Sequence, residues 1–242
     1  MCIVFWYTCQ DGPYKLVLAS NRDEHLERVT KRADWWEFPH SDILAPRDLQ
    51  AKVSGTWIGI SKRGRIATLT NSHVEDTGNG RPIAGSGGSN SNSPGNANAP
   101  SAIAISTKIS PTRPIHKLNL LGSPVAAAAG SPTTPAATHM LSLSSPPSRG
   151  ILVRDFLEGV GESPLAYLQG MVQRREAPTY AGFNLLVGDL CQPTFAFLSN
   201  RSSTEPNVVR ATPVHQVQAV SNGELNDPEW PRVQRGSLIF AE

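Results

Sequence analysis

A cysteine follows the initiator methionine, and a polar cluster ends the second apolar segment, so the two could form one reactive site. The chain begins MCIVFW, and the polar cluster lies in LASNRDEH. Removal of Met1 would leave Cys2 with a thiol and a free α-amine on one carbon atom. The amine can accept the thiol proton near neutral pH, which makes the pair a nucleophile with its own base. The chemistry indicated is nucleophilic attack by the thiolate.

The elements that must position this chemistry are two strands, residues 2–8 and 14–19, joined at Asp11-Gly12, a strong hairpin turn signal. In an antiparallel hairpin, Asn21, Arg22 and Asp23 would border the Cys2 thiol. A neighbouring cation favours the reactive thiolate, and Asp23 could hold the amine by a charge-assisted hydrogen bond. The alternative is that Cys2 fills space in a buried edge strand and that residues 21–23 form a surface turn.

Two asparagines occupy matching places, each directly after an apolar strand. Asn71 follows IATLT and Asn222 follows HQVQAVS. Side-chain amides at strand ends can donate to an oxyanion that develops during acyl transfer. Asparagine is also a favoured turn residue, so each could equally be a turn.

Length, net charge and cysteine content argue against several classes of protein. A chain of 242 residues can form one sizeable core, and its net charge of +2 does not favour nucleic acid or a polybasic membrane contact. Three cysteines without paired spacing argue against a disulfide framework and for a reducing compartment. No apolar run approaches the roughly 20 residues of a membrane helix, and no secretory signal or transit peptide is recognisable.

The composition changes to Gly, Ser, Asn, Pro, Ala and Thr between residues 76 and 148. Such a segment cannot bury enough apolar surface to offset its ordering entropy, so it is predicted to be a low-complexity, disordered insert. The prediction is therefore one domain, residues 1–242, interrupted by residues 76–148.

Strands and helices are predicted on both sides of the insert. Residues 56–61 and 65–70 read as two further strands. After the insert, one helix begins near Ile151 and a second at Ser163 with Pro164 in the first helical position. Four strands follow, in GFNLLVGDL, PTFAFLSN, PNVVRAT and HQVQAVSN, and a last helix starts near Trp230. This order predicts an α+β domain with antiparallel sheets covered by helices.

Several segments resemble a known family when they are taken together and in order. They are MCIVF, LASNRDE, GTWIGIS, ATLTN, SRG, GFNLLVGD, and VSN followed by PEWPRV. They are similar to the NRDE family, typified by the transport and Golgi organisation protein 2, whose signature is residues 21–24. The resemblance implies a role in Golgi organisation and protein secretion.

That family is in turn similar to N-terminal nucleophile hydrolases of the choloylglycine hydrolase and penicillin V acylase type. The resemblance implies a four-layer αββα sandwich with a catalytic cysteine exposed by loss of methionine. It further implies that Cys2 is the nucleophile, that Asp23 binds its amine, and that Asn71 and Asn222 are the oxyanion amides. The hydrolase arginine precedes the asparagine, so Arg22 has no secure counterpart.

Two departures from the hydrolases affect the expected function. Their late catalytic arginine has no counterpart here, and the sequence stops at Glu242, so a C-terminally truncated fold is expected. The insert at residues 76–148 is the second departure. The leading hypothesis is therefore a degenerate cleft that binds a small lipophilic or acyl-bearing ligand through Asn21, Arg22 and Trp57. The alternative is an active cysteine amidase or acyl hydrolase.

The expected cargo of the binding hypothesis is haem or an acyl-CoA-like molecule. His25 and His73 are the candidates for contact with haem. The six histidines include no HExxH motif and no close Cys/His pairing, so no metal site and no resident cofactor are predicted. The expected location is the cytoplasm, with association with the Golgi or mitochondria as alternatives.

Overall fold

The computed structural model describes residues 2–51, 53–73, 103–108, 146–203 and 205–242. In these ranges the chain forms eleven strands and three α-helices. The strands are β1 Ile3–Thr8, β2 Tyr14–Asn21, β3 Thr30–Trp35, β4 Ile43–Asp48, β5 Ile58–Ser61, β6 Arg65–Asn71, β7 Ile103–Lys108, β8 Phe183–Asp189, β9 Thr194–Ser199, β10 Val209–Ala211 and β11 Val217–Val220. The helices are α1 Gly150–Glu158, α2 Pro164–Gln173 and α3 Pro231–Ala241.

The strands of these ranges form two antiparallel sheets. One has four strands in the order β11-β1-β2-β7, and the other has seven in the order β10-β9-β8-β6-β5-β4-β3. The predicted α+β class with antiparallel sheets is confirmed.

Side chains alternate between the two faces of β1, and those on one face contribute to the apolar layer between the two sheets. Val4 and Trp6 are buried and face the seven-stranded sheet, where the Trp6 ring stacks on Phe197 with centroids 6.3 Å apart. Leu16 and Leu18 of β2 alternate in the same way and join this layer. Because successive side chains of a strand point to opposite faces, Phe5 is directed to the other side of the sheet.

Helices cover the outer faces of both sheets. Helices α1 and α2 lie on the seven-stranded sheet, with Phe156 and Leu157 of α1 fully buried in that core. Helix α3 lies on β1 and β11, and Phe240 stacks on Phe5 with centroids 5.8 Å apart. In the described residues the layers are therefore helix, sheet, sheet and helices.

The sequence located most of these elements. Ser163 caps α2 by accepting a hydrogen bond from the Ala166 amide, with Pro164 in the first turn as predicted. Strands β3 and β4 were missed. Strand β3 is exposed along its whole length, so its sequence, TKRADW, lacks the apolar alternation that reveals a half-buried strand.

One segment differs from the prediction of disorder. Residues 103–108 form strand β7, which pairs with β2. Three of its six residues are β-branched, which favours a strand. The edge of β2 also offers backbone groups for pairing, and the composition of the segment itself cannot indicate this distant partner. Nearly all the rest of the predicted insert, residues 76–148, lies outside the described residues.

None of the helices in the described ranges is both long and apolar enough to cross a membrane.

Two helical glycines should respond in opposite ways to alanine. A Cβ at Gly236 would overlap the Phe5 ring, whereas at Gly170 it would lie 2.8 Å from the end of the flexible Arg174 side chain. We expect Gly236→Ala to lower the free energy of unfolding by about 1 to 3 kcal/mol through overpacking. Gly170→Ala should raise it by about 0.5 to 1 kcal/mol through helix propensity. Chemical denaturation measures both, and stabilisation by Gly236→Ala would contradict the packing of α3 on β1.

Candidate functional site

The pairing of β1 with β2 brings the amino terminus beside the polar cluster. Ile3 is opposite Asn21 in the antiparallel register, so the residues on either side of this pair lie together. The Cys2 Sγ donates a weak hydrogen bond to the main-chain oxygen of Asp23 at 3.8 Å. The predicted proximity of Cys2 and Asp23 is thus present in the structure.

Asp23 ionises under the influence of the amino terminus of the chain. Its pKa is lowered chiefly by a hydrogen bond from the terminal ammonium, and burial opposes this shift. The charges of the ammonium and of Arg232, whose Nη1 lies 3.9 Å from Oδ2, and a hydrogen bond from Asn21 lower the pKa further. The ammonium in this chain belongs to Met1, and loss of Met1 would transfer it to Cys2.

Two further strand ends meet the start of β1. Ser221, which follows β11, donates from Oγ to the Cys2 carbonyl oxygen at 2.7 Å. Asn222 is 2% exposed and donates from Nδ2 to the main-chain oxygen of Asn71 at 2.7 Å. The ends of β1, β2, β6 and β11 therefore converge.

The Asn222 contact restricts the oxyanion role predicted from the sequence. An asparagine amide has two N–H donors, and one of those on Asn222 is already occupied by Asn71. Its Oδ1 is buried without a hydrogen-bond partner among the described residues. Only the second N–H of Asn222 could bind an oxyanion.

Arg149, to which the sequence argument gave no role, lies at the start of α1. Burial lowers the pKa of Arg149, and the charge of Arg28 lowers it further, whereas negative charge on Cys2 and Glu24 raises it. The charge of the Arg149 guanidinium and that of Cys2 therefore influence each other. Its Nη1 donates to the Gly182 carbonyl oxygen at 2.8 Å.

A close backbone approach positions Arg149 at the start of α1. The Thr56 amide donates to the Gly150 carbonyl oxygen at 3.2 Å, and a Cβ at Gly150 would lie 2.9 Å from the Thr56 nitrogen. Glycine is therefore needed directly after Arg149. The SRG motif was the available sequence signal, but nothing in it indicated a partner about 150 residues away in the chain.

Arg22, which follows β2, lies over the ring of Trp57. The Arg22 guanidinium carbon lies 4.2 Å from the centroid of the Trp57 ring, and Nη2 is 3.3 Å from a carboxylate oxygen of Glu24. Both contacts hold the guanidinium over the indole. Binding of a ligand by Asn21, Arg22 and Trp57 stays a prediction.

The two histidines considered for haem contact lie in the segments that form the site. His25 and His73 are both exposed. The His25 amide donates to Glu24 Oε1 at 3.1 Å, and the His73 amide donates to the Asn222 carbonyl oxygen at 2.8 Å. Among the described residues, no group of three or more His, Cys, Asp or Glu side chains could hold a metal ion.

Comparison with known proteins identifies the family. The family model described as Transport and Golgi organisation 2 matches residues 1–90 and 134–242. The chain belongs to this family.

It is 43% identical over 76 residues to the Transport and Golgi organization 2 homologs of mouse and of human, a match that covers 29% of this chain and 27% of each relative. An uncharacterised protein of Saccharomyces cerevisiae is 38% identical over 84 residues, which is 33% of this chain and 26% of the yeast protein. The chain thus matches about a quarter of the length of these curated relatives.

Asp23 should make stability depend on pH in a defined direction. Since its folded pKa is below the unfolded value, the stabilisation is complete above the unfolded pKa and is lost as pH falls through the folded pKa. We expect Asp23→Asn to unfold more readily than the unchanged chain at pH 7. The difference should shrink in acid, below about pH 4, and at high salt. Urea titrations across pH measure it, and a difference that grows in acid would contradict this assignment.

Proposed function

We propose that this family member is a cysteine-dependent amidase or acyl hydrolase of the N-terminal nucleophile type, acting on a small lipophilic or acyl-bearing ligand after loss of Met1. The observation that carries the proposal is the contact of the Cys2 thiol with Asp23, whose pKa the terminal ammonium lowers, at one end of the β1–β2 hairpin. The sequence favoured binding without chemistry because a late arginine was missing. Arg149, whose charge interacts with that of Cys2, is our candidate for the missing guanidinium and answers part of that objection.

The reaction uses groups that are already adjacent. The Cys2 amine takes the thiol proton, and the thiolate attacks the acyl carbon to give a tetrahedral oxyanion. The ammonium then returns the proton to the leaving amine, and a thioester remains on Cys2. Water adds to the thioester, which releases a carboxylic acid and regenerates the thiol. Asp23 keeps the ammonium oriented, and Arg149 stabilises negative charge on the sulfur.

Binding without turnover is the second candidate, and one contact favours it. One N–H of the Asn222 side chain is already donated to the Asn71 carbonyl oxygen, so only the other could donate to an oxyanion. In that case the cleft holds an acyl-CoA-like or haem cargo. The names of the relatives connect either activity with transport and Golgi organisation.

Acylation of Cys2 should depend on a free amino terminus. Purified protein that has lost Met1 should gain the mass of one acyl group on Cys2 after incubation with an activated aryl amide, and should release the aryl amine. Intact-mass and peptide mass spectrometry measure both the loss of Met1 and the site of acylation.

Two controls separate catalysis from the reactivity of an ordinary thiol. Cys2→Ala should abolish acylation, and a chain with extra residues ahead of Met1 should retain the thiol but lose turnover. If the extended chain releases aryl amine as fast as the processed one, the terminal amine is not the base. Retention of Met1 in an active protein would equally overturn the mechanism.

Arg149 should act through its charge. We expect Arg149→Met to lower the acylation rate by about tenfold or more, since a charge-assisted interaction contributes about 1.5 to 3 kcal/mol. Arg149→Lys should keep part of the rate because it retains a cation. Arg174→Met is the matched control, because this exposed arginine pairs with Glu176 beyond the end of α2. Equal effects of Arg149→Met and Arg149→Lys would show that packing, not charge, is responsible.

A further inference from the structure

We propose that Ser221 is a positioning residue for Cys2 and that Thr70 and Asn184 hold Ser221 in place. This inference rests on the proposed function and extends it to the main chain of the nucleophile. The pairing of β1 with β11 begins at Val4 opposite Val220, so Cys2 lies beyond the ladder. The Ser221 hydroxyl replaces the missing ladder bond by donating to the Cys2 carbonyl oxygen at 2.7 Å.

Ser221 is itself held by the other sheet. The Thr70 hydroxyl of β6 donates to the Ser221 carbonyl oxygen at 2.7 Å. Asn184 of β8 donates from Nδ2 to the Ser221 carbonyl at 3.3 Å, to Thr70 Oγ1 at 3.3 Å and to the Gly223 carbonyl at 3.1 Å. Ser221, Thr70 and Asn184 are each no more than 2% exposed.

This buried chain of hydrogen bonds runs from the seven-stranded sheet to the nucleophile. A bond within a dry network is stronger than one exposed to water, and the members of the network restrain one another. A fixed Cys2 carbonyl limits rotation about the Cα–C bond of Cys2. The amine and the Cβ that carries the thiol are attached to the same Cα, so the directions of the Cα–N and Cα–Cβ bonds relative to Asp23 are restricted, and only the rotation of the thiol about Cα–Cβ is left free. Small errors in such directions lower rates without changing ground-state binding.

The test compares Ser221→Ala with Ser221→Thr in the full chain. Ser221→Ala should lower the kcat of Cys2 acylation about two- to tenfold, the size expected for one neutral hydrogen bond, with KM unchanged. Ser221→Thr keeps a hydroxyl and should restore most of the rate. Ser61→Ala is the matched control, since Ser61 is also buried but its Oγ accepts from the Arg65 amide on β6. It should leave the acylation rate unchanged.

A second readout needs no turnover. Protein labelled with carbon-13 at the cysteine carbonyls gives three NMR signals, because the chain has three cysteines. Loss of the hydrogen bond in Ser221→Ala should move the Cys2 signal upfield and leave those of Cys9 and Cys191 in place. Should Ser221→Ala prevent folding, Thr70→Val tests the next bond of the chain, with Thr70→Ser as its rescue.

The outcomes separate this inference from the proposed function. A shifted signal together with slower acylation supports both. An unshifted signal, or a shifted signal with an unchanged acylation rate, overturns the positioning role of Ser221. If the unchanged protein is never acylated while the signal shifts in Ser221→Ala, the proposed hydrolase fails and the control of Cys2 geometry by Ser221 stands.

Discussion

The antiparallel register of β1 is the constraint on which the site depends. Strand β1 pairs with β2 on one side and with β11 on the other, so its alignment fixes both neighbours of Cys2. Because side chains alternate along a strand, a slip of one residue would turn Val4 and Trp6 out of the layer between the sheets. Burial of these two apolar side chains therefore holds the register, and the register holds Cys2 beside Asp23.

The layer between the sheets changes from apolar to polar at the Cys2 end. Thr70, Asn184, Ser221 and Asn222 are buried there, where an apolar core would avoid the loss of hydration. Their donors satisfy neighbouring carbonyls, but Oδ1 of Asn184 and Oδ1 of Asn222 have no partner among the described residues. An unsatisfied buried acceptor costs about 1 to 3 kcal/mol. Departures of this kind from good packing are expected where a site has a function.

The local parts of this fold could be predicted from the sequence, and the long-range parts could not. The Asp11-Gly12 turn and alternating residues were enough to place Cys2 near Asp23, because a hairpin needs no distant partner. Strand β3 lies at a sheet edge in solvent, so its sequence lacks the alternation of apolar and polar residues that indicates a half-buried strand. The role of Ser221 and the approach of Arg149 depend on how two sheets and a helix pack, which no short segment encodes. The contact of Asn222 with Asn71 could not be predicted from the sequence either, and it limits the oxyanion role that the position of Asn222 after a strand had indicated.

Loss of Met1 would move the amine by one residue, and the proposed mechanism requires Asp23 to follow it. Consecutive Cα atoms are about 3.8 Å apart, so the new amine lies within one residue of the present one. The Cys2 main chain is held by Ser221 and by the pairing of β1, and it need not move. Asp23 already accepts from Cys2 Sγ through its main chain, and its side chain is 52% exposed, so a change of rotamer meets little steric resistance. Under the proposed mechanism the carboxylate follows the ammonium to Cys2 by a change of rotamer, and the pairing of β1 stays in place.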